Sequence, residues 1–314
     1  MRALFLKQTG DPPLLEIENV PIPKPGPHQV LVQVAACGFC HHDRSVMAGV
    51  LRRGVAPNIV LGHEISGVVE EIGNEVASLH TGDHVVSILT EACGHCDRCK
   101  AGREHRCRDG QGIGHGRDGG FAEYVVLTEH SLVRLPKGLD LISSALLACP
   151  LGVALQAVQV TARVKPGETV VITGAGGGLG SHAVQVAAAL GAHVLAVTSS
   201  PEKEPALLEL GATQVLVKSD IDFSDLVMAL TEDRGADVVI DAVGSAVYPS
   251  TLKSLAHYGR LVFLGEIEGN NISLNPVEVI FRDAALLGTS GVSRATVKQA
   301  ASMVLDGQIR PVAN

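Results

Sequence analysis

Four cysteines fall within one short stretch, "CGHCDRCKAGREHRC", from Cys93 to Cys107. Their spacing, over Cys93, Cys96, Cys99 and Cys107, is C-x2-C-x2-C-x7-C. Four thiolates at about 2.3 Å can close a tetrahedron around Zn²⁺ and leave no position for a substrate. A closed site of this kind holds a loop together and performs no chemistry. An iron–sulfur cluster is the competing use of four cysteines, but the ferredoxin run ends C-x3-C-P. Here the last gap is seven residues and Arg108 follows Cys107. The spacing therefore predicts structural zinc, with His95 and His105 facing solvent because four thiolates already fill the shell.

A second stretch able to do chemistry is "VVITGAGGGLGSH", which follows an apolar strand and opens a helix. That context makes it a Rossmann turn, whose glycines let the backbone approach a pyrophosphate at a helix N-terminus. Aligned on its last glycine it reads A-x-G-G-x-G, over Ala175, Gly177, Gly178 and Gly180, with Gly174 and Leu179 in the same turn. NAD enzymes place Asp or Glu at the end of the second strand to bind the ribose 2′-OH. Here that strand runs "HVLAVTSSPEK" and ends in Thr198, Ser199 and Ser200, with Lys203 close behind. A 2′-phosphate would meet hydroxyls and a cation there. Glu202 and Glu204 count the other way. The balance predicts NADP(H) in preference to NAD(H).

These residues need a scaffold, and the chain has room for one. It has 314 residues, 46% of them apolar, enough for two domains with a sizeable core. The net charge is −8 and no run of Lys or Arg appears, which argues against nucleic-acid or anionic-membrane partners. The first twenty residues lack an apolar h-region and a cleavage site. The apolar run from Ile142 to Val160 contains Pro150, Gly152 and several polar residues, and reads as a buried helix with a break. Seven cysteines in such a chain suit metal ligation better than disulfides, and the expected location is the cytoplasm. Six Phe, three Tyr and no Trp leave no aromatic-lined pocket to be read.

The first half reads as short strands and turns: "QVLVQVAACG", "ISGVVEEIG" and "HVVSIL". After Leu141, apolar strands alternate with helical stretches. Val170–Thr173, His193–Thr198, "GATQVLVK", "ADVVIDAV" and "GRLVFLGE" are the strands, and Ser181–Leu190 is an Ala-rich helix ended by Gly191. Strand–helix alternation implies a parallel sheet with crossover helices.

The remaining cysteines are Cys37 and Cys40 in "CGFCHHD" and Cys149 in "LLACPLG"; "GHE" lies at Gly62–Glu64. Each is weak alone, since a lone Cys is usually core. Together with "GHEISGVVEEIG", the four-cysteine loop, "GGFAEYV" and "TGAGGGLGSHAVQVA", they make the chain resemble, along nearly its whole length, the zinc-containing medium-chain dehydrogenase/reductase family of alcohol dehydrogenase type. The resemblance implies an α/β fold: a β-rich GroES-like catalytic domain over residues 1–148, then a doubly wound parallel-sheet Rossmann domain over 149–285. Residues 286–314 would return towards the catalytic domain. Family members continue past "DGQIRPVAN", so this last segment is expected to be either truncated or unusual in its ending.

The same resemblance assigns a catalytic zinc to Cys40, His63 and Cys149, with Glu64 as the adjacent carboxylate that can enter the metal's shell. Asp43 would fix the His63 tautomer. Cys37 is expected to be packing. With two thiolates and one imidazole, one position stays open for an alcohol or carbonyl oxygen. The family's proton route uses a Ser or Thr hydroxyl where this chain has His42, which is either a relay in its own right or a wall of the pocket. His41 matches a basic position facing the cofactor pyrophosphate, or is a free surface histidine. Val243 and Gly265 end later strands on the nicotinamide side, and Val153 stands where the family often has Thr.

The implied activity is a zinc-dependent oxidoreductase passing a hydride between NADP(H) and an alcohol, aldehyde or ketone. It would carry two zinc ions per chain, one catalytic and one structural. Close relatives instead reduce the C=C bond of enones or unsaturated acyl-CoA thioesters, for which Arg52 and Arg53 are either CoA phosphate contacts or solvated surface. A non-catalytic zinc- and NADPH-binding protein is the third reading. The expected partners are a small-molecule substrate and a second or further copy of the chain, as a dimer or tetramer. Pairing around Val279 to Gly291 is the family's dimer mode.

Overall fold

The computed structural model describes residues 1–217 and 222–313. Lys218, the last residue of the expected strand "GATQVLVK", and Asn314 lie outside the described residues. The chain forms two compact units, Met1–Gly152 with Gly291–Asp306, and Val153–Ser290 with Gly307–Asn314. Cys149, at which the sequence divides the chain, lies within the first unit, and the 286–314 segment is shared between the two.

The first unit is built on a five-stranded antiparallel sheet. Its order is Leu132–Arg134, His84–Ser87, Glu64–Ile72, Gln29–Gly38, Tyr124–Thr128. Period-two alternation would bury only Val30, Val32 and Val34 of the central strand. Instead Val30, Leu31 and Val32 are all buried, because Gln29–Gly38 is flanked on both edges and covered on both faces at that end. Val32 pairs with Val69 on one side and Val125 on the other, within a core that includes Ile65, Val85, Leu127 and Leu132. Register shifts between Leu31 and Val32 and between Val34 and Ala36 bend this strand before it reaches Cys37. A three-stranded sheet, Leu14–Asn19, Arg2–Gln8, Ile59–Val60, carries the chain into "GHE".

The second unit holds a six-stranded parallel sheet. Its order is Gln214–Val217, His193–Thr198, Thr169–Thr173, Ala236–Asp241, Leu255–Phe263, Ala285–Gly288. Numbered along the chain, that order is 3-2-1-4-5-6, the doubly wound arrangement. Val170, Val171 and Ile172 are fully buried, as strands covered on both faces must be. The helix expected from Ser181 begins at Gly178 and ends at Ala189. The glycine turn itself supplies the first helical residues, which an argument from Gly as a helix breaker misses.

Leu141–Thr161 is long and apolar enough to span a membrane by length and composition, and 72% of its apolar window is buried within the protein. Its helical geometry breaks at Cys149 (φ −126°, ψ 125°), within the run read as a broken buried helix.

Candidate functional site

In the first unit, Cys40, His63, Glu64 and Cys149 bring one ligand atom each within 4.8 Å of one another. The Cys40 and Cys149 sulfurs are 4.0 Å apart. A tetrahedron with zinc–sulfur bonds of about 2.3 Å has sulfur–sulfur edges of about 3.8 Å, so the donor set fits a zinc ion in spacing and chemistry.

Each donor is placed by its local backbone. Cys40 has extended geometry (φ −107°, ψ 156°) at the N-cap of the short helix His41–Met47. Asp43, in that helix's first turn, reaches back: its Oδ2 accepts the Cys40 N–H at 2.9 Å. Its Oδ1 accepts the Gly62 N–H at 3.3 Å and lies 3.5 Å from His63 Nδ1. One fully buried carboxylate thus braces both donor segments and faces one nitrogen of His63, leaving the other for the sulfur side. Gly62 lets the chain turn into His63 with φ +92°; a Cβ there would sit 2.7 Å from Cys37 Sγ and from Phe121. Glu64 ends the turn as the first residue of its strand.

The electrostatics are those of a buried ion pair. The hydrogen bond from Cys149 outweighs burial and brings Cys40 down to about 4. The same contact, together with burial, holds the Cys149 thiol well above its ordinary value. Burial would push His63 down, but Asp43 and Cys40 hold it up at about 10. Glu64 is pushed up to about 8 by burial and by Cys40. Asp43 stays below its usual value despite burial, through His63 and the Cys40 N–H.

His42 lies against this set, its ring 5.0 Å from His63 in an edge-on contact. Burial and His63 bring it down to about 4, and its buried Nδ1 has no hydrogen-bond partner. Sequence reasoning missed its other neighbour, His115, whose ring is 5.2 Å away and whose Nε2 meets the Arg53 carbonyl at 2.8 Å. No spacing in the chain links His115 to Cys40; only the return of "IGHGRDGG" beside "LGHE" does. His41 is exposed. Cys37 is a part-buried thiol whose protonated form burial stabilises.

The sulfurs of Cys93, Cys96, Cys99 and Cys107 also lie within 4.8 Å of one another, with Cys96 and Cys107 at 4.0 Å. That set too fits a zinc tetrahedron. His95 is exposed, but His105 is half-buried and does not face solvent freely as the spacing argument expected. It packs beside Gly291, a contact from far along the chain.

In the second unit, Gly174 (φ +59°) follows the strand Thr169–Thr173 and the turn opens the helix at Gly178. Gly180 is obligatory: a Cβ there would lie 2.2 Å from the Gly174 carbonyl oxygen. Ala175 is fully buried, while Gly177, Gly178 and Leu179 keep some exposure. Lys203 Nζ donates to the Gly176 carbonyl at 2.6 Å, so its ammonium lies against the turn. Thr198 Oγ1 accepts the Ser200 N–H at 3.1 Å, Ser199 is exposed, and Glu202 and Glu204 are exposed. The Val243 amide donates to the buried Asp241 carboxylate and the Gly265 amide to the Asp241 carbonyl, which fixes both strand ends.

Comparison with known proteins matches both halves. Residues 26–137 match the alcohol dehydrogenase GroES-like domain, and residues 178–306 match the zinc-binding dehydrogenase family. The acryloyl-coenzyme A reductase of Sulfurisphaera tokodaii is 33% identical over 298 residues, covering 95% of this chain and 87% of that protein. The NAD-dependent alcohol dehydrogenase of Saccharolobus solfataricus is 36% identical over 277 residues, covering 84% of this chain and 78% of that protein. A Sinorhizobium meliloti chain of the zinc-binding dehydrogenase type, solved bound to NADP, superposes with a TM-score of 0.87 at 33% identity, covering 98% of this chain and 89% of that one. With matches of this extent in both halves of the chain, it belongs to the zinc-containing medium-chain dehydrogenase/reductase family of alcohol dehydrogenase type, a family of oxidoreductases.

Proposed function

We propose that this chain transfers a hydride between NADP(H) and an alcohol, aldehyde or ketone, with one catalytic and one structural zinc. The observation that carries the proposal is the buried set of Cys40, His63 and Cys149, with its 4.0 Å sulfur pair and its Asp43 brace. Cys40, His63 and Cys149 would hold the catalytic ion, with Glu64 beside it. When bound, zinc supplies Lewis-acid stabilisation of charge on a substrate oxygen. Asp43 holds the His63 ring and the Cys40 backbone in place. His42, neutral at pH 7 with a free Nδ1, is the group we assign to accept the substrate's hydroxyl proton. Cys93, Cys96, Cys99 and Cys107 would hold the structural ion. The reading is tested by removing the weakly held metal with a chelator: NADPH-dependent turnover of aldehydes should vanish and return with added Zn²⁺. Turnover that survives metal removal would contradict it.

Preference for NADP(H) rests on Lys203 against the turn and on the absence of a carboxylate among Thr198, Ser199 and Ser200. The Lys203→Glu variant should lose roughly 100-fold in kcat/KM for NADPH and no more than a few-fold for NADH, since a charge-assisted contact becomes a repulsion. An equal loss with both cofactors would mean that Lys203 only shapes the turn.

Zinc uptake at the catalytic set should depend on pH. In the metal-free protein at pH 7, His63 (about 10) and the Cys149 thiol both carry protons. Ligation needs a neutral imidazole and a thiolate, so binding ejects two protons. Affinity therefore rises with pH, by about 100-fold per unit near neutrality. Calorimetry in buffers of different ionisation enthalpy measures the proton count; a tenfold rise per unit would remove one of these ligands, and a pH-independent affinity would remove both.

A second reading, reduction of the C=C bond of an unsaturated acyl-CoA thioester, is favoured by His42 standing where alcohol chemistry in the family uses a hydroxyl, and by likeness to the acryloyl-coenzyme A reductase.

A further inference from the structure

Of the three buried polar side chains on the helix Gly178–Ala189, two, those of His182 and Gln185, reach outside the helix. His182 is fully buried and Gln185 is 6% exposed. Both are spent on one short segment of backbone. The His182 ring folds back over the helix's first turn, with Nδ1 2.6 Å from the Gly178 carbonyl oxygen. Its Nε2 receives the Val312 N–H at 3.0 Å. A carbonyl can only accept and an amide N–H can only donate. The ring is therefore the neutral tautomer with its proton on Nδ1. Burial favours the neutral ring as well.

One turn further on, the Gln185 amide donates to the Arg310 carbonyl at 3.0 Å and accepts the Arg310 N–H at 2.9 Å. Residues 310 and 312 are thus gripped at alternate positions, as a neighbouring strand would grip them. Ile309, 4% exposed, plugs the same segment into the apolar interior. The Gly178 carbonyl belongs to the first residue of the helix whose N-terminus faces the turn, and it also accepts the Ser181 hydroxyl at 3.2 Å. A single imidazole therefore bridges the entry of the cofactor helix to a segment from the far end of the sequence.

We propose that His182 is a positioning residue for the dinucleotide: by joining Gly178 to Val312, it makes docking of the 309–312 segment and binding of the cofactor mutually reinforcing. The proposal rests on the reading that the Gly174–Gly180 turn receives the pyrophosphate. Coupling follows because the ring can satisfy both partners only when turn and segment are both in place. By linkage, a dinucleotide that fixes the turn must tighten the segment by the same factor that the segment tightens the dinucleotide.

The test uses the whole chain and two readouts: NADPH affinity from nicotinamide fluorescence, and hydrogen exchange at the Arg310 and Val312 amides. In the wild type, NADPH should slow exchange at both amides. His182→Leu fills the space without either hydrogen bond. It should weaken NADPH binding by roughly 5- to 20-fold and abolish the effect of NADPH on the two amides. Wild-type NADPH affinity in His182→Leu would overturn the proposal while leaving the glycine-turn reading intact. If His182→Leu does not fold, Gln185→Met releases Arg310 without touching Gly178. Loosened amides with unchanged NADPH affinity in that variant would show a purely structural clamp and overturn the proposal. A wild-type chain that binds neither NADPH nor NADH would sink the glycine-turn reading, and this proposal with it.

Discussion

In the Cys40→Ser variant, turnover should fall by on the order of 10³-fold while the protein stays folded and keeps one zinc per chain. Cys40 is one of two sulfurs in the proposed catalytic set, and the Asp43 side chain binds its backbone amide. The substitution removes a metal ligand and leaves the brace. Losing the stabilisation of charge on a substrate oxygen, worth several kcal/mol, converts to three decades or more at about 1.4 kcal/mol per decade. The four-cysteine loop shares no ligand with this set, so its ion should remain. Elemental analysis beside steady-state kinetics checks both halves. Loss of both metals together would contradict two independent sites, and full activity with one zinc would remove the catalytic role of the Cys40 set.

Cys99→Ser should do the opposite: lower stability sharply while sparing chemistry at temperatures where the variant is folded. Cys99 lies in the four-residue helix Asp97–Lys100, whose N-cap is Cys96. A helix that short has no stability of its own. A metal clip across the Cys93–Cys107 loop acts as a cross-link would, and closing a loop of that length is worth about 3 kcal/mol. For a unit of this size that corresponds to a fall in Tm of roughly 6–12 °C. Scanning calorimetry with metal analysis measures it. An unchanged Tm after loss of the ion would mean that the loop is held by its other contacts. A matching loss of turnover at 25 °C would mean that the loop reaches the chemistry.

Local patterns in the sequence were the most legible. The C-x2-C-x2-C spacing fixes its cluster because all four donors sit on one loop, and the glycine turn declares itself by the strand before it and the helix after it. The parallel sheet is written in the recurrence of strand and helix, while its strand order is visible only in the folded chain. The proposed catalytic set is different. Cys40, His63 and Cys149 are far apart in sequence, and residue chemistry alone could not join them; the resemblance to a family did so. Asp43 shows why: its two oxygens bind backbone amides of Cys40 and Gly62, contacts that no side-chain spacing encodes. His115 stayed hidden for the same reason, since it reaches His42 through tertiary packing alone. The grip of His182 and Gln185 on residues 310–312 spans most of a domain in sequence. Its residues read from sequence as ordinary positions on an Ala-rich helix.

The most direct measurement of the central claim is product analysis after reaction of the protein with an α,β-unsaturated aldehyde and NADPH carrying deuterium at C4 of the nicotinamide. Hydride transfer to a carbonyl predicts an allylic alcohol with deuterium on the carbinol carbon. A saturated aldehyde with deuterium on the β-carbon would contradict carbonyl chemistry and establish the enoyl reductase reading in its place.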